Sequence, residues 1–347
     1  MKERKRRIVI LCEGYFGDLE GKTASGLIMY KPEEVVAVID STQAGKTSQE
    51  ILGYGGDIPV VARLADSLKH GPNALLIGIA PRGGKLPPQW REIVREALDN
   101  GLDVINGLHD LLNEDPEFSK LAAAKGARIH DLREARKYNA VAIGDPSLIK
   151  ATVVLTVGTD CKSGKKVTSV EMAKEAKKHG WNSHFVPTGQ SGIAIFGEGV
   201  PIDSIMGDFM SGAIEEFLIE KSKAYDLLCV EGQGTIIHPG YSGVTLALIH
   251  GSLPDAMILC HHPGRRIVKS YQVKIPPLNQ MIKLHEDLTR PIKPCRVTGI
   301  SLNTEMLGDE EARAEIERVE EETGLPAIDP VRFGCDKLME ALEPFKR

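Results

Sequence analysis

A chain of 347 residues is long enough for two domains, each burying its own core without disulfides or metals. Its 42% hydrophobic and 26% charged residues suit a soluble globular protein, and a net charge of −5 lacks the basic excess on which nucleic-acid binding rests. No apolar run approaches the roughly 18 residues of a membrane span and no signal peptide precedes Ile8, so a cytoplasmic protein with neither a nucleic-acid nor a membrane partner is expected.

The chain opens on Lys2-Glu3-Arg4-Lys5-Arg6-Arg7, which reads as a solvated terminus. Apolar, β-rich runs then alternate with helical patterns, the signature of parallel sheets with crossover helices: an α/β fold of two doubly wound domains. In the first half strands are predicted at 7–12, 34–39, 58–61, 74–79, 102–106 and 127–130, with helical stretches such as 88–100 between them. Gly14-Tyr15-Phe16-Gly17 and Asp40, at the end of the second strand, faintly suggest a dinucleotide site, but no G-x-G-x-x-G is present. Ala44-Gly45-Lys46-Thr47 looks like a truncated phosphate loop and reads better as a strand-to-helix turn. Arg82 follows the fourth strand, placed to face an interdomain cleft.

The pattern pauses at Gly144-Asp145-Pro146, which sets a boundary near residue 149 and divides the chain into domains 1–149 and 150–347. Strands follow at 151–156, 182–186, 226–230, 256–260, 296–303 and 326–328, with helices at 165–178, 211–223, 309–323 and 334–342. The six cysteines are scattered without a C-x-x-C pair, several in strand-like runs, which reads as reduced, cytosolic and non-metal.

The strongest chemical signal is Gly158-Thr159-Asp160-Cys161-Lys162-Ser163-Gly164-Lys165, between a strand and a helix. Glycines let the backbone curl its N–H groups inward, the helix N-terminus adds partial positive charge, and Lys165 reaches the phosphates. The loop is one residue longer than the usual G-x-x-x-x-G-K-[ST], a spacing known in dethiobiotin-synthetase-like proteins. Where that pattern has a Mg²⁺-binding hydroxyl, this chain has Lys166. Thr168 lies about 200° round the helix and substitutes poorly.

Glu231 ends a buried-strand run before Gly232-Gln233-Gly234, where it can bind a metal, orient water, act as a base or simply cap a neighbouring loop. His238, in a polar, glycine-rich stretch with Tyr241, Ser242 and Thr245, is a proton-transfer candidate or a loop hydrogen-bonder. Thr188-Gly189-Gln190-Ser191-Gly192 and His261-His262-Pro263-Gly264-Arg265-Arg266 follow two further strands. The arginines can grip a carboxylate; the adjacent histidines are poor joint metal ligands. Asp208 either caps a helix or joins the site.

As a set, G-T-D-C-x-x-G-K, T-G-Q-S-G, G-D-F, E-G-Q-G, H-P-x-Y-S-G-V-T-L and H-x-P-G-R resemble one family, long of unknown function, that includes the DgcN-type D-glutamate N-acetyltransferases. The resemblance spans essentially the whole chain. It implies a Rossmann-like N-terminal domain, a P-loop C-terminal domain, and acetyl transfer from acetyl-CoA to the amine of D-glutamate. Coenzyme A offers a pyrophosphate to the loop yet needs no phosphoryl transfer, which suits Lys166. By side-chain chemistry, Glu231 or His238 is the expected base, with Asp208 a further catalytic candidate, and Ser242 or the Gly232–Gly234 amides are the oxyanion donors. Arg265, Arg266, Arg82, Gln190 and Ser191 are the expected contacts for an acidic amino acid. The rival readings are an ATP-dependent ligase or kinase, with Mg²⁺ on Asp160, Asp208 and Glu231, and a nucleotide-binding protein without turnover. A symmetric homo-oligomer is the default assembly.

Overall fold

The computed structural model describes residues 5–81 and 83–347, and these form two compact units. One comprises Met1–Ala135 with Gln190–Ser204, the other Arg136–Gly189 with Ile205–Arg347.

The first unit holds β1 (Ile8–Leu11), α1 (Lys22–Tyr30), β2 (Val35–Ile39), α2 (Ser48–Leu52), β3 (Val60–Val61), α3 (Leu64–Ser67), β4 (Ala74–Ile77), α4 (Arg91–Asp99), β5 (Asp103–Asn106), α5 (Pro116–Lys125) and β6 (Ile129–Asp131). All pairings are parallel, in the order β3-β2-β1-β4-β5-β6, the strand order of a Rossmann fold. A parallel strand is covered on both faces, hence the unbroken apolar Ile8-Val9-Ile10-Leu11, buried throughout.

The second unit holds β7 (Thr152–Gly158), α6 (Lys165–Glu175), β8 (Ser183–Val186), α8 (Met210–Lys221), β9 (Leu227–Val230), α9 (Ser242–Ser252), β10 (Ala256–His261), α10 (Leu278–Thr289), β11 (Arg296–Leu302), α11 (Asp309–Thr323), β12 (Ala327–Ile328), α12 (Pro330–Phe333) and α13 (Asp336–Glu340). Its parallel sheet runs β12-β11-β10-β7-β9-β8. The connection that leaves β7 runs toward β8 at one edge of the sheet and the one that leaves its neighbour β10 runs toward β11 on the other side, so the loops after β7 and β10 flank the switch point where open α/β sheets bind ligands.

Three local expectations change. The intervening helix α7 (Gln190–Phe196) belongs to the first unit, packed on α1. Arg6 is not part of a solvated terminus: it donates to the carbonyls of Ala194 and Ile195 at 2.9 and 3.0 Å, near the C-terminus of α7 where a cation is favoured. The polar, glycine-rich stretch around Ser242, where no helix is predicted, turns helical over Ser242–Ser252. The turn reading of Gly45-Lys46-Thr47 holds, with Thr47 and Glu50 forming the capping box of α2. All six cysteines are free. No helix among the described residues is long and apolar enough to cross a membrane.

Candidate active site

β7 is buried along its whole length and delivers Gly158 to the loop. A Cβ at Gly158 would stand 2.7 Å from Ser163 Oγ and 2.8 Å from Lys165 Nζ, so a side chain there would displace the two groups that face the loop. Gly164 caps α6 at φ +99°, a left-handed conformation. The first amides of α6 have no intrahelical acceptor, which makes them anion ligands. Lys165, 6% exposed, donates from Nζ to the Asp160 carbonyl at 2.8 Å and to Ser163 Oγ at 3.2 Å. Burial pushes its ammonium below the usual lysine range, opposed by Cys161, Cys260 and Asp160. A polyanion beside Lys165 would favour the charged form further.

Asp160 is fully buried and works as a brace. Its Oδ1 accepts from Cys161 N at 2.7 Å, and its Oδ2 accepts from Arg265 Nη1 at 3.1 Å and Lys269 N at 3.0 Å. Arg265 Nη1 also donates to the Cys161 carbonyl at 2.8 Å. Arg265, expected to clamp a substrate carboxylate, therefore holds the loop after β10 against the phosphate loop. Thr159 Oγ1 meets His261 Nδ1 at 2.9 Å, whereas His262 Nδ1 donates to the Pro263 carbonyl at 3.0 Å, so the two histidines serve different partners. Thr168 Oγ1 is taken by the Gly164 carbonyl at 3.1 Å and Ser301 Oγ at 2.7 Å, so it does not replace the hydroxyl missing at Lys166.

Beside the loop, β9 delivers Glu231, the residue after its end, 7% exposed. Its Oε2 accepts from Thr188 N at 3.1 Å, and its carbonyl accepts from Thr188 Oγ1 at 2.6 Å. His238, 3% exposed, lies stacked on Tyr241 and edge-on to Tyr271, with ring centroids 4.5 and 4.6 Å away. Its Nδ1 accepts from Gly240 N at 3.0 Å, so the neutral ring carries its proton on Nε2. That tautomer donates; taking a second proton at Nδ1 would sacrifice the Gly240 bond. Ser242 opens α9, half-buried, its amide donating to the His238 carbonyl at 3.1 Å.

The remaining candidates separate from this cluster. Asp208 is exposed and makes no hydrogen bond or ion pair among the described residues, so it neither caps a helix nor joins Glu231. Gln190 and Ser191 lie in the first unit, where Gln190 Nε2 donates to Thr23 Oγ1 at 2.8 Å and Ser191 Oγ meets Thr23 Oγ1 at 2.7 Å. Asp40, at the end of β2, is buried and accepts from Phe16 N and from the amide and hydroxyl of Thr42. Arg266 is exposed; Arg82 lies outside the described residues. Asp160, Asp208 and Glu231 do not converge as metal ligands. Among the described residues the group whose ligand atoms lie within 4.8 Å of one another is Glu175, His179 and Asp336, at the end of α6.

Comparison with known proteins agrees with this two-unit architecture. The profile described as the domain of unknown function DUF1611_C, a P-loop domain, matches residues 140–339, and DUF1611_N, a Rossmann-like domain, matches residues 41–135. The chain belongs to the DUF1611 family. The crystal structure of a DUF1611 family protein from Anabaena variabilis superposes with a TM-score of 0.94 at 38% identity, covering 98% of this chain and 99% of that one. Two curated relatives carry the name D-glutamate N-acetyltransferase. The one from Tritonibacter scottomollicae is 38% identical over 328 residues, 93% of this chain and 94% of the relative. The one from a Pseudoalteromonas species is 35% identical over 282 residues, 80% and 84% of the two chains.

Sequence reasoning missed Thr188, Lys269 and Tyr271, which hold Glu231, Asp160 and His238. Thr188 lies two and three residues before Gln190 and Ser191, whose longer or more reactive side chains carry the stronger signal for ligand contact. Lys269 acts through its backbone amide and carries no side-chain signal.

Burial also sets a pH dependence in this unit. It pushes both His261 and His285 from 6.5 down to about 4. Between those values the unfolded chain binds protons that the folded chain does not. Stability is thus fully present above about pH 6.5 and falls as pH drops toward 4, by on the order of 3 kcal/mol per histidine. Thermal melts should show a progressive loss across that window, less in His285→Gln than in wild type; identical slopes would contradict the assignment.

Proposed function

We propose that the protein is an N-acetyltransferase that moves acetyl from acetyl-CoA to the amine of D-glutamate, with the phosphate loop around the coenzyme pyrophosphate. The observation that carries the reading is the alignment of two D-glutamate N-acetyltransferases over most of both chains. The loop chemistry supports it: acetyl transfer moves no phosphoryl group, and neither Lys166 nor the engaged Thr168 offers a hydroxyl for Mg²⁺. The ligase reading needs Asp160, and both of its oxygens already accept hydrogen bonds from protein donors.

Acetyl transfer requires the substrate ammonium to lose a proton. The nitrogen lone pair then forms the C–N bond to the thioester carbonyl, the C–S bond breaks, and the sulfur leaves as thiolate, which takes up a proton. Glu231 accepts the ammonium proton: its carboxylate sits at the strand end next to the loop, oriented by Thr188. His238, protonated on Nε2, and the amides of Gly243 and Val244, which follow the engaged Ser242 amide in the first turn of α9, are the donors for the oxyanion. Lys165 and the α6 amides hold the pyrophosphate.

Calorimetry tests the loop's role. Acetyl-CoA should bind equally with and without EDTA, and Lys165→Ala should weaken binding by about 2 kcal/mol without unfolding the protein. Unchanged affinity in Lys165→Ala, or vigorous Mg²⁺-dependent ATP turnover by wild type, would overturn it.

A further inference from the structure

The loop from Arg265 to Leu278 folds back on itself, with Val268 N donating to the Val273 carbonyl at 2.8 Å and Ile275 N to the Arg266 carbonyl at 2.9 Å. One side of this hairpin reaches the phosphate loop through Lys269 N and Arg265. The other side lines a cleft of about 220 Å³ whose walls include His261, Arg266, Ile275, Pro276, Pro277 and Glu322. The cleft therefore shares a wall with the phosphate loop: His261 touches Thr159, and Arg265, also in its lining, touches Asp160 and Cys161.

Its composition is two-sided. Ile275 and the two prolines form an apolar shelf without hydrogen-bond donors, suited to the face of a flat heterocycle. Arg318 also lines the cleft, but Glu315 and Glu322 neutralise it at 2.8 and 2.7 Å. Arg266, exposed, makes no ion pair within 4.0 Å among the described residues and feels Glu315 only at longer range, so its guanidinium is the cleft's cation open to a ligand anion. At about 220 Å³ the space falls below the about 300–1,000 Å³ of a drug-sized ligand site and suits one base with its sugar. The larger cleft, of about 500 Å³, contains Arg296 at the amino end of β11, the opposite end of the sheet from the phosphate loop.

We propose that this cleft is the nucleoside subsite of the coenzyme: the purine lies on the Ile275–Pro277 shelf, and Arg266 pairs with the 3′-phosphate of the ribose. The assignment rests on the acetyl-CoA reading and deepens it. It moves Arg266 from amino-acid recognition to coenzyme recognition and makes the 3′-phosphate the feature by which the site prefers coenzyme A to nucleotides lacking it. A charge-assisted pair of this kind is worth on the order of tenfold in affinity.

Calorimetry with CoA and dephospho-CoA, on wild type, Arg266→Ala and Arg266→Lys, tests it. Wild type should bind CoA about tenfold more tightly than dephospho-CoA. Arg266→Ala should erase that preference by losing affinity for CoA alone, and Arg266→Lys should restore part of it. If CoA binds and acetyl transfer proceeds, yet Arg266→Ala keeps the full preference, the subsite assignment is wrong and the acetyltransferase reading stands. If wild type binds neither coenzyme, both are wrong.

Discussion

Glu231→Gln should lower kcat for acetyl transfer by about 10²- to 10⁴-fold, the usual contribution of a general base, with acetyl-CoA affinity retained. The expectation follows from what the substitution preserves. The amide keeps the size of the side chain, and its carbonyl oxygen still accepts from Thr188 N, so the junction of β8 and β9 survives. What it loses is the capacity to take a proton. A base acts only on the way to the transition state, so the loss falls on kcat and not on binding. His238 is the contrasting case. With Nδ1 occupied by the Gly240 amide, its ring is a donor, and His238→Gln should cost less than Glu231→Gln because the glutamine amide still offers an N–H. Steady-state kinetics on both variants decides the ranking. Near-wild-type kcat in Glu231→Gln with a collapse in His238→Gln would reverse the two roles.

Gly232→Ala should cost more than about 4 kcal/mol and in practice unfold the second unit. A Cβ at Gly232 would lie 1.6 Å from the Thr156 carbonyl oxygen and 3.2 Å from Lys165 Cδ. The obstructing atom is main chain in the middle of β7, which is buried throughout and paired on both sides by β9 and β10, so it has nowhere to move. The same glycine's amide donates to Thr156 Oγ1 at 2.9 Å, so displacing it also leaves that buried N–H without its acceptor. Gly243, in the first turn of α9, is the control: a Cβ there meets nothing within 4 Å. Gly243→Ala should leave stability unchanged or raise it by about 0.5–1 kcal/mol, through the helix propensity of alanine. Urea denaturation of both variants tests the pair; a soluble, two-state Gly232→Ala with wild-type midpoint would refute the close approach.

The strands were legible because parallel sheets demand continuous apolar runs, and every predicted strand has a counterpart within a few residues. Helices α7, α9, α10 and α12 were not, α7 and α9 for one shared reason. Gln190-Ser191-Gly192 and Ser242-Gly243 carry the small polar residues of loops, and their helices are made by tertiary packing. In α9, Gly251 lets the backbone of Ser211 approach: a Cβ there would stand 2.4 Å from the Ser211 carbonyl oxygen. The phosphate loop was legible because its chemistry is local in sequence. The role of Arg265 was not, because its partner Asp160 lies 105 residues earlier and a guanidinium suits a loop brace as well as a substrate carboxylate. Asp208 illustrates the converse: a plausible residue in a plausible motif, left in solvent by the fold.

The most direct test of the central claim is turnover by purified protein given acetyl-CoA and D-glutamate in the presence of EDTA. Thiol release and product mass are followed together, with L-glutamate as the comparison. The account predicts one N-acetylated D-glutamate per thiol released, slower turnover with L-glutamate, and no requirement for metal or ATP. Thiol release that does not depend on any amino acid, or acetyl transfer that requires ATP and Mg²⁺, would contradict it.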